Sequence, residues 1–383
     1  MRTVAESVVW ICGLLLAYTY LGYPLLMWVR AARWPRPVRR QDHTPPLSIV
    51  VIARNEASRI ESRIENLLAL DYPRDRYEVW VASDGSADDT AERAGAYRQA
   101  GVEVVSFDVQ RGKPAVLNEL VPRARGEIVV LADARQRFEP GTLKALVAPF
   151  ADPSVGAVSG ELILTANACG TMVGEGVGFY WRYEKSIRRS ESAVDSSVGA
   201  TGAIYAIRRQ LFEPLPPDTV LDDVLIPMRI ARAGRRTLFE PAARAYDQAA
   251  STAAEEFTRK VRTIAGNFQL FARERWLLNP FQNPIWLQTL SHKVLRLTTP
   301  LLLVAMLGAN LLLRDREPYR WILAAQGLFY AAALGGCALR DSRRRMPLLA
   351  VPYLVCLLGW ATLVAFLRFL LGRQSAAWEK ASA

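Results

Sequence analysis

The sequence predicts an α/β protein in which a doubly wound, mostly parallel sheet is flanked by transmembrane helices. One observation is that short apolar, β-branched runs alternate with segments of helical spacing through the middle of the chain. The other is that long uncharged apolar runs stand near both ends of the 383 residues. We therefore expect a folded domain that is attached to a membrane.

Composition excludes several classes of protein. Hydrophobic residues make up 51% of the chain and charged residues 22%, so a disordered protein, which lacks apolar surface to bury, is excluded. With 4 Cys and 2 His, neither a disulfide framework nor a histidine-rich metal site is available. The net charge of +11 favours an anionic partner, such as a nucleic acid, a membrane surface or a phosphorylated substrate.

Residues 8–29 carry no charge and are long enough to cross a hydrocarbon core of about 30 Å as a transmembrane helix. A cleaved signal peptide is the alternative, but the run is long for one and no A-x-A-like site closes it. Arginines follow directly at Arg30, Arg33, Arg36, Arg39 and Arg40. By the positive-inside rule this end is cytoplasmic and the N-terminus is outside.

Residues 298–371 are predicted to form three further transmembrane helices. They contain uncharged runs at 298–313, 321–339 and 346–367. With the middle of the chain in the cytoplasm, the arginines between the last two runs are cytoplasmic as well, as the positive-inside rule requires. A buried three-helix core is the alternative.

The segment 281–297 precedes these runs and is predicted to be an interfacial amphipathic helix. Its apolar residues fall near helical spacing and are interleaved with Trp286, His292, Lys293 and Arg296. An amphipathic helix with a basic side is suited to lying in the membrane interface. Docking of this helix on the soluble domain is the alternative.

Between the membrane segments, strands and helices alternate. The first predicted strand, 47–53, is a continuous apolar run of the kind found in strands that are buried on both faces. Further strands are expected at 77–82, 102–107, 127–132, 155–164 and 204–207. Helices are expected at 57–70, 88–99, 113–124, 142–149 and 226–233. No internal repeat interrupts this order.

Polar side chains follow the predicted strands, at the edge where doubly wound sheets bind ligands. They are Asn55 and Glu56 after the first strand, Asp84 after the second, Lys113 after the third, and Asp133 and Arg135 after the fourth. Neither G-x-G-x-x-G nor G-x-x-x-x-G-K-S/T is present, which argues against a dinucleotide site and a P-loop. The alternative interpretation of Asp84 and Asp133 is that each of them only caps a helix.

In their order, these motifs resemble those of the family 2 glycosyltransferases, nucleotide-sugar transferases with the GT-A fold. The motifs are A-x-N-E, D-G-S-x-D-x-T, G-K-x-x-x-L-N from Gly112 to Asn118, and the D-x-D position at Asp133. The resemblance covers about Pro46 to Arg273 and implies a GT-A domain at residues 46–275. With its membrane segments, the chain is similar to the branch that includes poly-N-acetylglucosamine, hyaluronan and cellulose synthases.

The resemblance implies that a nucleotide sugar is bound by Asn55, Glu56, Asp84, Lys113, Asp133, Arg135 and Arg262. Asp84 is expected to contact the base or ribose, and Lys113 to hold the nucleotide end. Asp133 is expected to bind Mg²⁺ or Mn²⁺ on the diphosphate. Arg135 stands where the second acid of D-x-D is usual. Either Asp133 carries the metal nearly alone, or Arg135 supplies part of the positive charge.

The resemblance also assigns a general base. Asp223 matches this base and Asp222 the acid before it; the base takes a proton from the acceptor hydroxyl. Because adjacent acids repel each other, the pKa of one of them can rise. Thr201 and Gly202 belong to a stretch of small residues that lines the acceptor site in the family. The alternatives are that the two acids cap a helix and that the small residues form a simple turn.

A basic segment, 257–266, falls where processive members carry Q-x-x-R-W. Arg262 matches the Arg of that motif and is expected to meet the leaving diphosphate, a contact for which a guanidinium is suited. Arg259 and Thr263 replace the Gln and the Trp. Since the Trp offers a platform for the acceptor sugar, its replacement weakens the case for processive synthesis. A solvated basic helix face is the alternative.

We therefore expect an inverting glycosyltransferase with its catalytic domain on the cytoplasmic side of a prokaryotic inner membrane. The expected donor is a UDP-sugar, and the expected acceptor is a glycan or lipid-linked molecule of cell-surface polysaccharide synthesis. A catalytically inactive nucleotide-binding subunit of a synthase complex is the alternative, and Arg135 supports it. No nucleic-acid partner is expected, because much of the basic charge lies at the membrane boundaries and no nucleic-acid motif is present.

Overall fold

A computed structural model of the chain describes residues 2–165, 172–248, 253–339 and 346–372. In these ranges one sheet is built from β1 Leu47–Ala53, β2 Tyr77–Asp84, β3 Val102–Phe107, β4 Ile128–Asp133, β5 Arg137–Phe138, β6 Val155–Thr165, β7 Ile204–Arg208 and β8 Arg236–Gln248. The helices are α1 Arg2–Ala17, α2 Tyr23–Arg33, α3 Ile60–Leu68, α4 Thr90–Gly95, α5 Lys113–Arg123, α6 Thr142–Val147, α7 Met172–Val194, α8 Asp222–Arg232, α9 Ala253–Arg273, α10 Trp286–Gln288, α11 Leu295–Leu312, α12 Tyr319–Ala338 and α13 Pro347–Leu370.

Both faces of the central strands are buried, as the continuous apolar runs predict. Successive side chains of a strand point to opposite faces. In β1, Ile49 therefore joins the hydrophobic cluster that contains Ile64 of α3, while Val50 joins the cluster that contains Leu117 of α5. Each such side chain, once buried, contributes about 1.5–3 kcal/mol to folding. The sheet is thus the middle layer between two layers of helices.

The sheet is mixed, with the strand order β3-β2-β1-β4-β7-β6-β8-β5. Strands β1 to β4 pair in parallel, which confirms that part of the prediction and brings their carboxyl ends to one edge. Strand β7 runs antiparallel to both β4 and β6. Its first residue, Ile204, pairs with Ala132 near the carboxyl end of β4, so the chain enters β7 from the ligand-binding edge and runs away from it.

Several helices are shorter than the periodicity predicts. The helix expected at 57–70 covers Ile60–Leu68, and the helix expected at 88–99 covers Thr90–Gly95. Glycine is a poor helix former, so Gly95 ends the regular turn of α4. The helix expected at 142–149 ends at Val147, just before a tighter turn that contains Pro149. The long helix α7 and the strand β8 are elements that the sequence patterns did not predict.

Four of the described helical segments are long and apolar enough to cross a membrane: Arg2–Arg33, Trp286–Leu312, Tyr319–Ala338 and Leu348–Leu370. They confirm four predicted runs. Large apolar side chains point outward from them, among them Trp28, Leu301, Leu328 and Leu348. Such a surface is stable when lipid covers it. The chain is therefore a membrane protein.

The structure differs from the prediction of a separate interfacial helix at 281–297. Helix begins at Trp286 and continues without a break to Leu312, partly as a π-helical stretch at Thr289–Val294. The polar side of the segment is buried in protein, since Ser291 and His292 are only 0% and 1% exposed. This face therefore packs against other helices, and its polar residues find partners there rather than in the membrane interface.

Helix α9 of the domain packs directly on the last apolar helix. Val261 and Ala265 of α9 are buried against Ala361 and Ala365 of α13. Phe268 extends this contact, with its ring centroid 5.2 Å from that of Phe366. Small side chains on both helices allow the close approach. The sheet domain and the membrane helices thus share a packed interface.

The turn before β4 depends on a glycine. A Cβ at position 126 would lie 2.5 Å from both the carbonyl carbon of Leu47 and the nitrogen of Ser48, which belong to the central strand β1. Gly126→Ala is therefore expected to destabilise the protein by about 1–3 kcal/mol, as other overpacked sites do. The midpoint of thermal unfolding in detergent measures this effect.

Gly95→Ala is the matched control for Gly126→Ala. A Cβ at position 95 meets no atom within 4 Å. The exchange is expected to leave the midpoint unchanged or to raise it, because alanine is the better helix former by up to about 1 kcal/mol. Equal midpoints for the two variants would contradict the close approach at Gly126.

Candidate active site

A pocket lies at the carboxyl ends of β1, β2 and β4. Its lining includes the predicted residues Glu56, Asp84, Lys113, Asp133 and Arg135. They lie at or just after the ends of four strands, and the parallel pairing of the strands brings them to one edge. The structure thus brings five of the predicted residues together in the lining of one pocket.

Lys113 lies between carboxylates from two parts of the chain. Its Nζ is 3.2 Å from Oδ1 of Asp133 at the end of β4, and 3.2 Å from Oδ2 of Asp222 at the start of α8. Burial lowers the pKa of Lys113, but Asp133, Asp222 and Asp223 outweigh it, and the pKa lies above its ordinary value. Lys113 is thus an ammonium ion that neutralises a group of acids.

The two acids Asp222 and Asp223 occupy the first turn of α8, which begins earlier than predicted. Neither side chain caps that helix, whose N-cap residue is Leu221. Oδ2 of Asp222 accepts a hydrogen bond from the hydroxyl of Tyr205 over 3.1 Å. Oδ2 of Asp223 accepts one from the backbone N–H of Gly202 over 3.1 Å. Both carboxylates therefore bind groups outside α8 rather than the end of their own helix.

The pKa of Asp223 is raised to about 6. Burial is the largest cause, and the charge of Asp222 adds to it, while Lys113 and Lys293 act in the opposite direction. At neutral pH this carboxylate is ionised but more basic than an ordinary Asp. It is suited to accept a proton from a hydroxyl group.

The small-residue loop Val198–Ala203 lies against this acid. A Cβ at position 202 would be only 3.0 Å from Oδ2 of Asp223. Gly199 has φ of 82°, in the left-handed region that favours glycine. The glycines thus allow the backbone to approach the carboxylate closely, and Thr201 and Gly202 lie beside Asp223.

Arg262 of α9 belongs to the same group of charges. Burial lowers the pKa of its guanidinium, and Asp222, Asp133 and Asp223 act to raise it. The side chain is partly buried, whereas Thr263, the next residue, is exposed. Arg262 is thus close enough to three site carboxylates for their charges to act on it, and it does not lie on a solvated helix face.

Asp84 and Asn55, which are predicted to bind the nucleotide sugar, make hydrogen bonds to the backbone of neighbouring loops. Both oxygens of the Asp84 carboxylate accept backbone N–H groups, from Arg111 over 2.7 Å and from Gly112 over 2.9 Å. This holds the turn that places Lys113. Asn55 accepts a hydrogen bond from the N–H of Ala87 over 2.8 Å and is not part of the pocket lining. It ties the loop after β1 to the loop after β2.

Arg135 is paired with an acid that the sequence analysis missed. Its Nη2 lies 3.4 Å from Oδ2 of Asp247, which also accepts a hydrogen bond from Gln136 over 2.9 Å. Among the described residues, Nε of Arg135 has no hydrogen-bond partner. Asp247 lies near the end of β8, far away in sequence, and only its position near the end of a strand could have pointed to it. Tyr205, the partner of Asp222, was missed for the same reason.

The model of the family described as "Glycosyltransferase like family 2" matches residues 45–266. This range contains β1 to β8 and the site residues named above. The chain belongs to the family 2 glycosyltransferases. The domain limits predicted from the sequence, 46–275, remain an interpretation of the same region.

Relatives with a known name cover about the same part of the chain. A β-monoglucosyldiacylglycerol synthase of Trichormus variabilis is 28% identical over 240 residues, which are 60% of this chain and 51% of the relative. A poly-β-1,6-N-acetyl-D-glucosamine synthase of Staphylococcus epidermidis is 22% identical over 236 residues, 60% of this chain and 56% of the relative. The chain thus spans about half the length of these relatives.

A solved structure shares the fold over nearly the whole chain. A mannosyltransferase of Pyrobaculum calidifontis, solved in complex with GDP-Man and Mn²⁺, superimposes with a TM-score of 0.72 and 24% identity. The superposition covers 96% of this chain and 100% of the mannosyltransferase. At this level of identity the likeness establishes the GT-A fold, with its flanking apolar helices, and leaves substrates aside.

GT-A enzymes commonly use a divalent cation, and the carboxylate oxygens in this pocket are suitable ligands for one. No group of three or more His, Cys, Asp or Glu side chains that could hold a metal occurs among the described residues. Asp133 lines the pocket with its side chain 17% exposed, and one of its oxygens faces Lys113. Mg²⁺ is often held by one or two carboxylates together with substrate phosphates. Asp133 together with a substrate diphosphate would match this pattern.

Arg135→Asp is expected to strengthen the binding of Mn²⁺. The exchange removes a cation from the pocket wall and places a carboxylate there, near Asp133 in the lining and near Asp247 beside it. At an effective dielectric constant near 20, charges about 4 Å apart interact by about 4 kcal/mol, so a decrease of the Kd by about tenfold or more is expected. Titration calorimetry with Mn²⁺ and UDP measures it.

Arg137→Asp is the matched control, since it changes the charge by the same amount two residues away on an exposed side chain. It is expected to leave the Kd for Mn²⁺ nearly unchanged. Equal gains in both variants would show that only the overall charge matters, and would contradict a cation-binding position next to Asp133.

Proposed function

We propose that the protein is an inverting glycosyltransferase, which moves a sugar from a nucleotide-sugar donor to a hydroxyl group of a lipid or glycan acceptor. One observation carries the proposal: Lys113 joins Asp133 to Asp222, next to Asp223. The part of the site suited to a diphosphate and the part suited to a hydroxyl are thus side by side. Membership of the family supports the same reaction.

Asp223 is the proposed general base. Its carboxylate takes the proton of the acceptor hydroxyl as that oxygen forms a bond to the anomeric carbon of the sugar. The bond between this carbon and the diphosphate breaks in the same displacement, and the electron pair leaves with the diphosphate. Because the attack comes from the side opposite to the leaving group, the configuration at the anomeric carbon inverts.

Cationic side chains stabilise the leaving diphosphate. Lys113 and Arg262 already interact with the carboxylates beside the pocket, and an arriving diphosphate can share their charge. Arg135 adds a guanidinium at the pocket wall. When bound, Mg²⁺ or Mn²⁺ on Asp133 neutralises further charge on the diphosphate. Asp84 and Glu56, also in the wall, complete the proposed donor site, and Asn55 joins the loops after β1 and β2.

The donor is proposed to be a UDP-sugar and the acceptor a membrane lipid or a growing glycan, with Thr201 and Gly202 beside the acceptor hydroxyl. The names of the matched synthases support both kinds of acceptor. The basic residues that follow the first apolar helix support a cytoplasmic active site at an inner membrane. The same charge count supports four spans in that orientation.

The first test is the release of nucleotide by the purified full chain in detergent. UDP- and GDP-sugars are supplied with Mg²⁺ or Mn²⁺, and the acceptors are diacylglycerol in mixed micelles, an oligosaccharide, or native membranes. Metal-dependent release with one donor and a glycosylated product is expected. Product size separates a single transfer from polymer synthesis. Binding of nucleotide without release from any donor would instead support an inactive subunit.

Asp223→Asn is expected to lower the rate of transfer by about 10²–10⁴-fold, which is the usual contribution of a general base. The Kd for UDP is expected to stay within about twofold, because Asp223 contacts the small-residue loop and is not part of the pocket lining. Asp75→Asn, which alters a carboxylate that is 82% exposed on the surface, is the matched control and is expected to keep full activity. Transfer at the wild-type rate by Asp223→Asn would overturn the assignment of the base.

The rate is also expected to depend on pH. Asp223 can accept a proton only when it is ionised, and its pKa is about 6. The value of kcat/KM should therefore be constant above about pH 7 and fall tenfold per unit below about pH 6. A profile that stays flat down to pH 4.5, with the protein still folded, is the contrary result.

A further inference from the structure

A buried cluster of charged side chains lies where the membrane helices meet α7. His292 has both ring nitrogens at carboxylates: Nδ1 is 2.7 Å from Oε1 of Glu191, and Nε2 is 2.9 Å from Oε1 of Glu184. The side chains of His292 and Glu191 are 0% exposed, and that of Glu184 is 6% exposed. Buried charges are tolerated when they are paired in this way.

Glu184 is the centre of this cluster. Besides His292 it accepts hydrogen bonds from Nη1 of Arg296 over 2.8 Å and from Nε of Arg188 over 3.3 Å. Burial raises the pKa of Glu184, but His292, Arg296 and Arg188 outweigh it and hold the pKa well below its usual range. The carboxylate is therefore an anion that fixes two guanidinium groups.

The cluster joins both of the helical segments that flank the domain. Tyr23 of the N-terminal segment donates a hydrogen bond to Glu191, and His292 and Arg296 belong to the segment Trp286–Leu312. Nearby, the hydroxyls of Tyr18 and Ser291 are 2.8 Å apart. Both of these residues lie in π-helical stretches, which are frequent at functional sites. The position of α7 is thus fixed by the membrane helices.

Arg188 extends from this cluster to the small-residue loop Val198–Ala203. While its Nε faces Glu184, its Nη1 donates a hydrogen bond to Oγ1 of Thr201 over 2.8 Å. The next residue, Gly202, donates its backbone N–H to Asp223. One planar guanidinium, with its donors in a fixed fork, therefore connects the buried cluster to the loop that contacts the proposed base.

We infer that Arg188 is a positioning residue, which holds the Thr201–Gly202 loop against Asp223 and so couples the packing of the membrane helices to the acceptor step. The inference rests on the proposed function, since it takes Asp223 as the base. The loop needs such support because Gly199 and Gly202 make its backbone permissive. A shift of about 1 Å in a reacting group can lower a rate about 10²-fold.

Arg188→Met tests the inference in the full chain. The variant is expected to lower kcat with the acceptor by about 10–10²-fold, while the Kd for UDP changes by less than about twofold, because Arg188 is not part of the pocket lining. Arg188→Lys keeps the charge and is expected to recover part of the loss. Arg182→Met, on an exposed position of the same helix, is the matched control and should keep the wild-type kcat.

A second variant separates positioning from folding. Thr201→Val removes only the acceptor of the Arg188 hydrogen bond and leaves the buried cluster intact. It is expected to lower kcat as Arg188→Met does, and the double variant should be no worse than either single one, because both remove the same contact. If the two losses multiply in the double variant, the inference is wrong.

Other outcomes are equally decisive. Wild-type kcat in Arg188→Met, or in Thr201→Val, would overturn the inference. So would a loss of nucleotide binding that equals the loss of kcat in Arg188→Lys and Thr201→Val. Absence of transfer by the wild-type chain with every donor and acceptor would instead count against the proposed function, so the two failures are distinguishable.

Discussion

The site depends on one ammonium group between carboxylates. Asp133 ends β4 and Asp222 begins α8, and both are held by Lys113 at the start of α5. Removing one partner from such a buried group of charges costs about 3–5 kcal/mol, because the remaining charges stay without compensation. The rest of the site is arranged to keep this residue in place. Asp84 fixes the turn before α5, and Gly112, with φ of 85°, completes it.

The membrane helices are part of the same arrangement. Helix α9, which contains Arg262, packs on α13 through small side chains, and α7 is joined to the segment Trp286–Leu312 by contacts of its glutamates with His292 and Arg296, and to the N-terminal segment by the hydrogen bond from Tyr23. Lys293 of the segment Trp286–Leu312 acts on the pKa of Asp223. The side of the domain that contains the proposed base is therefore the side that faces the membrane helices, which is where a lipid acceptor would arrive.

The family and the fold are established by likeness to known proteins, whereas the substrates are proposed from the chemistry of the site. The matched synthases are named for a glycolipid and for a polymer, and the chain spans about half of their length. Within the chain, Thr263 replaces the aromatic residue of the processive motif, and it is exposed. At this position the chain therefore does not carry the aromatic platform of the processive motif.

The sequence by itself determined the parts that local patterns encode. Continuous apolar runs define β1 to β4, uncharged runs define the membrane helices, and the strand ends locate Lys113 and Asp133. Local patterns could not show that β7 runs antiparallel, or that the segment 281–297 has its polar face in protein, because both depend on distant partners.

Only the tertiary structure decided which charges meet. Arg135 reads as an isolated departure from D-x-D until Asp247 is seen beside it. Glu184, Arg188, Glu191 and His292 look like ordinary helix surface residues until three helical segments bury them together. Pairing of buried charges is set by distances in space, and a sequence records only distances along the chain.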